Sequence, residues 1–194
     1  MADVLLIHSV RGLRSAERDL ADRMRAAGHE VHLPDLFDGA TSASVEGGQE
    51  ILERLGWAAV VERARAAAAG LPDTAVLAGV SIGAQIAGAL LSERAGTTGI
   101  LLLHGPCEVP AECAGLPVQA HLAEPDPFDD EAYLADWSEA MRMSGADFQL
   151  HRYPGVGHYF TDATLPDYEA SAAELALRRS VAFLAHCDTL RRTG

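Results

Sequence analysis

Residues 75–86 read Ala75-Val-Leu-Ala-Gly-Val-Ser-Ile-Gly-Ala-Gln-Ile86, an apolar run that passes through Gly79-Val80-Ser81-Ile82-Gly83 into small residues at helical spacing. The apolar run at Ala75–Ala78 predicts a strand and the residues after Ile82 predict a helix. A G-x-S-x-G string between the two has the form of a nucleophile elbow, in which a strained turn lifts the serine hydroxyl above the sheet. The glycines two positions on either side leave room for so sharp a bend. Such strings also arise by chance in Gly- and Ala-rich chains, and the strand before and helix after are what set this one apart. Ser81 is therefore the candidate nucleophile.

Outward from the elbow, short β-rich runs alternate with helical patterns, as in a parallel sheet covered on both faces. Val4–His8 predicts the first strand; Ala16, Leu20, Met24 and Ala27 mark a helix that Gly28 ends, and Val31–Leu33 is the second strand. Pro34–Gly56 has the least pattern and reads as a surface loop or small lid. A helix starts at Trp57, with Val60, Val61, Ala64 and Ala68 on one face, and closes at Gly70 and Pro72. Ile100–Leu103, Val118–Leu122 and Phe148–Tyr153 predict strands four to six, Trp137 and Met141 an amphipathic helix, and Leu177, Val181 and Leu184 the final helix. The fold class is α/β. No repeat or low-complexity linker interrupts the order, so residues 1–194 are expected to form a single domain.

With 194 residues and 48% hydrophobic content, a chain of this size can bury about 70% of its unfolded surface without a disulfide or metal staple. Its 28 acidic and 15 basic residues give a net charge of -13, which repels phosphate backbones and anionic lipid headgroups. Nucleic acid and membrane are thus not expected as partners. Met1-Ala2-Asp3 runs into an apolar strand without a basic n-region, and the three cysteines lack C-x-x-C spacing, so a cytoplasmic location is expected. His104 and Cys107 have ligand-like spacing, but no further ligands stand nearby, and no metal is expected.

Functional groups of open α/β sheets gather at the carboxyl ends of strands. Ser81 follows strand three, Asp126 follows strand five in Glu124-Pro-Asp-Pro-Phe128, and His158 follows strand six in Tyr153-Pro-Gly-Val-Gly-His-Tyr-Phe160. Serine, aspartate, histidine is the chain order of α/β-hydrolases. A serine hydroxyl is a weak nucleophile until an imidazole takes its proton, and the imidazole needs a carboxylate to fix its tautomer and stabilise its charge. Asp126 has a competing reading as plain turn chemistry. Of the other histidines, His32, His121, His151 and His186 lie in predicted elements and read as structural, while His8 and His104 end strands where a pocket would form. Oxyanion donors are expected from the Ile82 amide at the helix start and the Val10 amide in the loop after strand one. Phe37, Trp57, Phe128, Tyr159 and Phe160 are candidates to line an apolar substrate pocket, against the commoner role of aromatics as core.

On these residues the chain resembles the dienelactone hydrolase family of α/β-hydrolases over nearly its whole length. Leu6-Ile-His-Ser-Val-Arg-Gly-Leu13 is similar to the family's first oxyanion loop, and Leu33-Pro-Asp-Leu-Phe37 to the segment after its next strand. Asp126-Pro-Phe128, Tyr153-Pro-Gly155 and His158-x-Phe160 are similar to its acid and base motifs. The resemblance implies an α/β-hydrolase fold with a mostly parallel sheet of about six to seven strands. It also implies a catalytic triad of Ser81, Asp126 and His158. Where members named for dienelactone have a cysteine nucleophile, an oxyanion-loop glutamate and a substrate-binding arginine, this chain has Ser81, Ser9 and Asp162. The resemblance thus points to the scaffold and the triad more than to the namesake reaction. The expected function is a cofactor-free serine hydrolase of a small ester, thioester or lactone. A catalytically silent ligand-binding or interaction protein on the same scaffold is the alternative. A nucleotide-binding protein would need G-x-G-x-x-G or a Gly-Lys-Ser/Thr string, which the chain lacks.

Overall fold

The structure, a computed structural model, describes residues 1–108 and 113–193. In chain order its elements are β1 (Asp3–Ile7), α1 (Ser15–Ala26), β2 (Glu30–His32), α2 (Val45–Leu55), α3 (Trp57–Ala69), β3 (Val76–Val80), α4 (Ile82–Leu91), β4 (Ile100–Leu103), β5 (Pro117–Glu124), α5 (Glu131–Met143), β6 (Asp147–Pro154) and α6 (Ala170–Thr193). The strands form one six-stranded sheet in the order β2-β1-β3-β4-β5-β6, and each adjacent pair is parallel.

Side chains alternate across this sheet with the two-residue period of a strand. Val4 and Leu6 of β1, Val76 and Ala78 of β3, and Leu101 and Leu103 of β4 pack with Ala21 and Met24 of α1 and Phe183 and Leu184 of α6. Their neighbours Leu5, Ile7, Leu77, Ile100 and Leu102 face the other way, against Val60 and Ala64 of α3, Ala84 and Ile86 of α4, and Leu134 and Trp137 of α5. Being buried on both faces is what makes these strands continuous apolar runs rather than polar-apolar alternations. β5 differs: Val118, Ala120 and Leu122 join the second core, while Gln119 and His121 turn a polar face toward α6.

The segment 34–56 contains more order than a loop. Asp35 accepts the Phe37 N–H at 3.0 Å and closes a turn, and Ser44 caps α2 by accepting the Gly47 N–H at 3.1 Å. The adjacent Gly47 and Gly48 lie inside that helix. Ile51 of α2 is buried in the same core as α3 and α4.

Strand order sets where a site can form. β2 lies on one side of β1 and β3 on the other, so the chain leaves the carboxyl ends of these two neighbours in opposite directions and opens a crevice between them. Val10 follows β1 and Ser81 follows β3 at that crevice. Among the described residues, no helix is long and apolar enough to cross a membrane.

Candidate active site

Ser81 sits between β3 and α4 with φ 56 and ψ -118, a backbone conformation that side chains other than glycine rarely adopt. The turn is held from both sides: the Ser81 N–H donates to the Leu103 carbonyl at 2.7 Å, and the Ala84 N–H donates to the Ser81 carbonyl at 2.8 Å. Gly83 is required by packing, since a β-carbon there would stand 2.4 Å from the Ile7 carbonyl oxygen. Strain at the serine is thus sustained by backbone contacts with β1 and β4.

The loop after β6 brings His158 to this serine, with His158 Nε2 3.0 Å from Ser81 Oγ. On the other side of the ring, His158 Nδ1 lies 2.9 and 2.8 Å from the two carboxylate oxygens of Asp126. The Asp126 side chain has no solvent-exposed surface and that of His158 is nearly as buried. Asp126 Oδ1 also accepts the Phe128 N–H at 2.9 Å. Asp126 thus closes a turn with one oxygen while its carboxylate faces the His158 ring.

His104, at the end of β4, packs 5.9 Å from His158 between ring centroids. Burial, reinforced by the neighbouring His158 and His121, holds its pKa well below that of a free histidine. With Nε2 at 2.6 Å from Thr161 Oγ1, His104 is a neutral ring beside His158. His8 is kept neutral by burial too; its Nε2 accepts the Leu36 N–H at 3.0 Å, so it anchors the turn after β2.

The loop after β1 is tied down by α1 and by the residues before α2. Buried Glu17 of α1 accepts the Ser9 hydroxyl at 2.7 Å, and Ser9 Oγ accepts the Arg11 N–H at 3.3 Å. The Arg11 guanidinium donates to the Ser42 carbonyl at 3.4 Å and to the Ala43 carbonyl, joining this loop to the residues before α2. Val10 and Ile82 both border a cavity of about 220 Å³ that also includes Ser81 and His158. As the first residue of α4, Ile82 has an N–H that the helix's own ladder leaves free.

Of the aromatic candidates, the structure brings Phe128 and Tyr159 to this cavity. Phe128 is 55% exposed and stands edge-on to His158, so it forms part of the rim. Phe37, Trp57 and Phe160 lie elsewhere. Phe37 and Phe160 are core side chains, packed edge-on to His8 and His104, and Trp57 is a partly exposed residue at the start of α3. Val45, Gln49 and Leu52 of α2, with Gln85, Gly105, Pro106 and Asp129, complete the wall. Hydrogen bonding between the Tyr159 hydroxyl and Ser81 and the role of α2 as a wall were both absent from the sequence reading.

Asp162, where the resemblance places an arginine in dienelactone-named members, is buried and paired with Arg14 rather than facing the cavity. Its other oxygen accepts from the Thr164 N–H at 2.8 Å. Asp129 is the carboxylate in the wall, and burial with the nearby Asp126 charge raises its pKa. Among the described residues, no three His, Cys, Asp or Glu side chains gather in a group that could hold a metal ion.

Comparison with known proteins agrees with this architecture. The sequence profile of the dienelactone hydrolase family matches residues 2–187. A dienelactone hydrolase-like promiscuous phosphotriesterase from metagenomic libraries superposes with a TM-score of 0.73 at 18% identity, covering 96% of this chain and 87% of that one. An esterase from Pyrobaculum calidifontis does so with a TM-score of 0.69 at 16% identity, covering 95% and 76%. Thermogutta terrifontis esterase 2, solved phosphorylated by paraoxon, gives 0.63 at 14% identity, with 95% and 82% covered. At these identities the likeness establishes the α/β-hydrolase fold. Comparison with curated proteins returned no match.

Proposed function

The chain belongs to the dienelactone hydrolase family, and from that premise we propose that it is a serine hydrolase that cleaves a small ester, thioester or lactone through an acyl-serine intermediate. The observation that carries this reading is the continuous contact from Ser81 Oγ to His158 Nε2 at 3.0 Å and from His158 Nδ1 to the Asp126 carboxylate.

In the proposed reaction Ser81 Oγ attacks the carbonyl carbon as its proton passes to His158 Nε2, and Asp126 stabilises the imidazolium without taking the proton. The carbonyl oxygen becomes an oxyanion held by the Val10 and Ile82 N–H groups. Collapse breaks the bond to the leaving alcohol or thiol, which receives the proton from His158; in a lactone that alcohol stays attached to the acyl group. A water then gives its proton to His158 and attacks the acyl-serine, and the acid departs as Ser81 recovers its hydrogen. Neutral His104 beside His158 supports this sequence, because it adds no second positive charge to oppose the imidazolium.

The cavity of about 220 Å³ favours small substrates, with Phe128 and Tyr159 offering apolar surface. A small-molecule acyl substrate fits this wall. Structural neighbours whose names include phosphotriesterase and an esterase phosphorylated by paraoxon suggest organophosphates as probes of the same serine. The direct test is a panel of acetyl and butyryl aryl esters, thioesters and lactones assayed with the wild type and Ser81→Ala. Turnover of at least one class, lost by about a thousandfold or more in Ser81→Ala, is expected; equal turnover by both proteins would refute the assignment.

A further inference from the structure

Tyr159 follows His158 in sequence and is only 5% exposed. Its N–H donates to Asp167 Oδ2 at 3.1 Å, its ring stands edge-on to His158 at 4.5 Å, and the Arg11 guanidinium lies 5.9 Å from its centroid. So placed, its hydroxyl donates to Ser81 Oγ at 3.3 Å. Burial raises the Tyr159 pKa, which keeps the phenol protonated and able to donate. Ser81 Oγ thus has two partners of opposite kind: it gives its hydrogen to His158 and accepts one from Tyr159.

We propose that Tyr159 is a catalytic hydrogen-bond donor to Ser81 Oγ whose main effect is on release of the acyl group from the serine. This rests on the reading of Ser81 as the nucleophile that becomes acylated. The reason lies in how the acceptor changes. In the resting enzyme Oγ is a hydroxyl oxygen and already a good acceptor, so its bond to Tyr159 gains little as attack begins. In the acyl-enzyme Oγ is the bridging oxygen of an ester, a poor acceptor. When the second tetrahedral intermediate collapses, the C–Oγ bond breaks, its electron pair goes to Oγ, and the imidazolium of His158 returns the proton. Charge builds on Oγ during that step, and the Tyr159 O–H strengthens its bond without transferring its own hydrogen. Only an interaction stronger in the transition state than in the state before it accelerates a step, so the contribution falls on deacylation.

Tyr159→Phe removes the hydroxyl and keeps the ring contacts. With p-nitrophenyl acetate, kcat is expected to fall about 10- to 100-fold, as for loss of a bond to a charged partner. Meanwhile kcat/KM, which reports acylation, changes by less than about threefold, so KM falls with kcat. Intact mass at steady state should show an acetyl adduct on Tyr159→Phe that the wild type does not accumulate. A parallel loss of kcat and kcat/KM without an adduct, or no change in either, overturns the proposal while leaving wild-type hydrolysis in place. If the wild type neither hydrolyses the ester nor acquires a label, the proposal falls together with the proposed function.

Discussion

Gly48 of α2 lies so near the loop after β1 that a β-carbon built on it would stand 2.4 Å from the Val10 carbonyl oxygen. The helix and the proposed oxyanion loop are therefore in backbone contact, reinforced by the Ser42 N–H bond to the Arg11 carbonyl at 3.0 Å. In an ordinary helix interior, alanine is better than glycine by about 1 kcal/mol. Here the methyl has nowhere to go unless the helix or the loop moves. Gly48→Ala is expected to retain the helical far-ultraviolet signal and to lose about 10- to 100-fold in kcat as the Val10 amide shifts. Undiminished kcat would show that Val10 does not hold the oxyanion.

Much of this arrangement was legible in the residues alone, and the boundary has physical causes. Strands buried on both faces write themselves as apolar runs such as Ile100–Leu103, and the glycine-flanked Ser81 marks its turn because no other residue fits beside it. The loops after β5 and β6 carried Asp126 and His158 recognisably, since the element pattern locates the sheet edge where they meet Ser81. α2 was hidden by the adjacent Gly47 and Gly48, which are small because Gly48 lies against the Val10 backbone and Gly47 against the Ser42 side chain, not because they make a turn. Aromatic roles were the least legible. Phe128 and Phe160 have equal hydrophobicity, and only the path of the loops puts one on the rim and the other in the core. Pairs that join separate segments, Glu17 of α1 with Ser9 of the loop before it and Arg14 with the distant Asp162, left no signal in the residue pattern.

Charge in the wall predicts selectivity. With Asp162 engaged by Arg14, no lysine or arginine borders the cavity among the described residues, and Asp129 does. Esters carrying a carboxylate near the scissile bond are expected to show kcat/KM about tenfold or more below that of matched neutral esters. Asp129→Asn should narrow the gap, as should added salt. A preference for the anionic ester in steady-state assays would contradict this view of the pocket.

Stability should fall on mild acidification, and His121 is one reason, alongside the buried His104. His121 lies in a chain of hydrogen bonds: Nδ1 is 2.7 Å from the Tyr153 hydroxyl, Nε2 is 2.9 Å from Gln119 Oε1, and Gln119 Nε2 donates to Gln149 at 2.9 Å. Burial, aided by the His151 and Arg179 charges, lowers its pKa from 6.5 to about 3. The unfolded chain therefore binds a proton that the folded one refuses between those two values. Stability is complete above 6.5 and declines as pH falls toward 3, by about 1.4 kcal/mol per unit for one such group. Thermal melts from pH 7.5 to 4 should show this slope, and His121→Gln should flatten it while lowering Tm at neutral pH. An unchanged acid slope in that variant would assign the effect elsewhere.

The central claim is that Ser81 is a nucleophile activated by His158, and labelling with a fluorophosphonate followed by intact mass measurement tests it most directly. A single phosphonyl adduct on the wild type is expected, with none on Ser81→Ala and labelling slowed by at least about a thousandfold in His158→Ala. A wild type that stays unlabelled, or an adduct that persists in Ser81→Ala, would contradict the account.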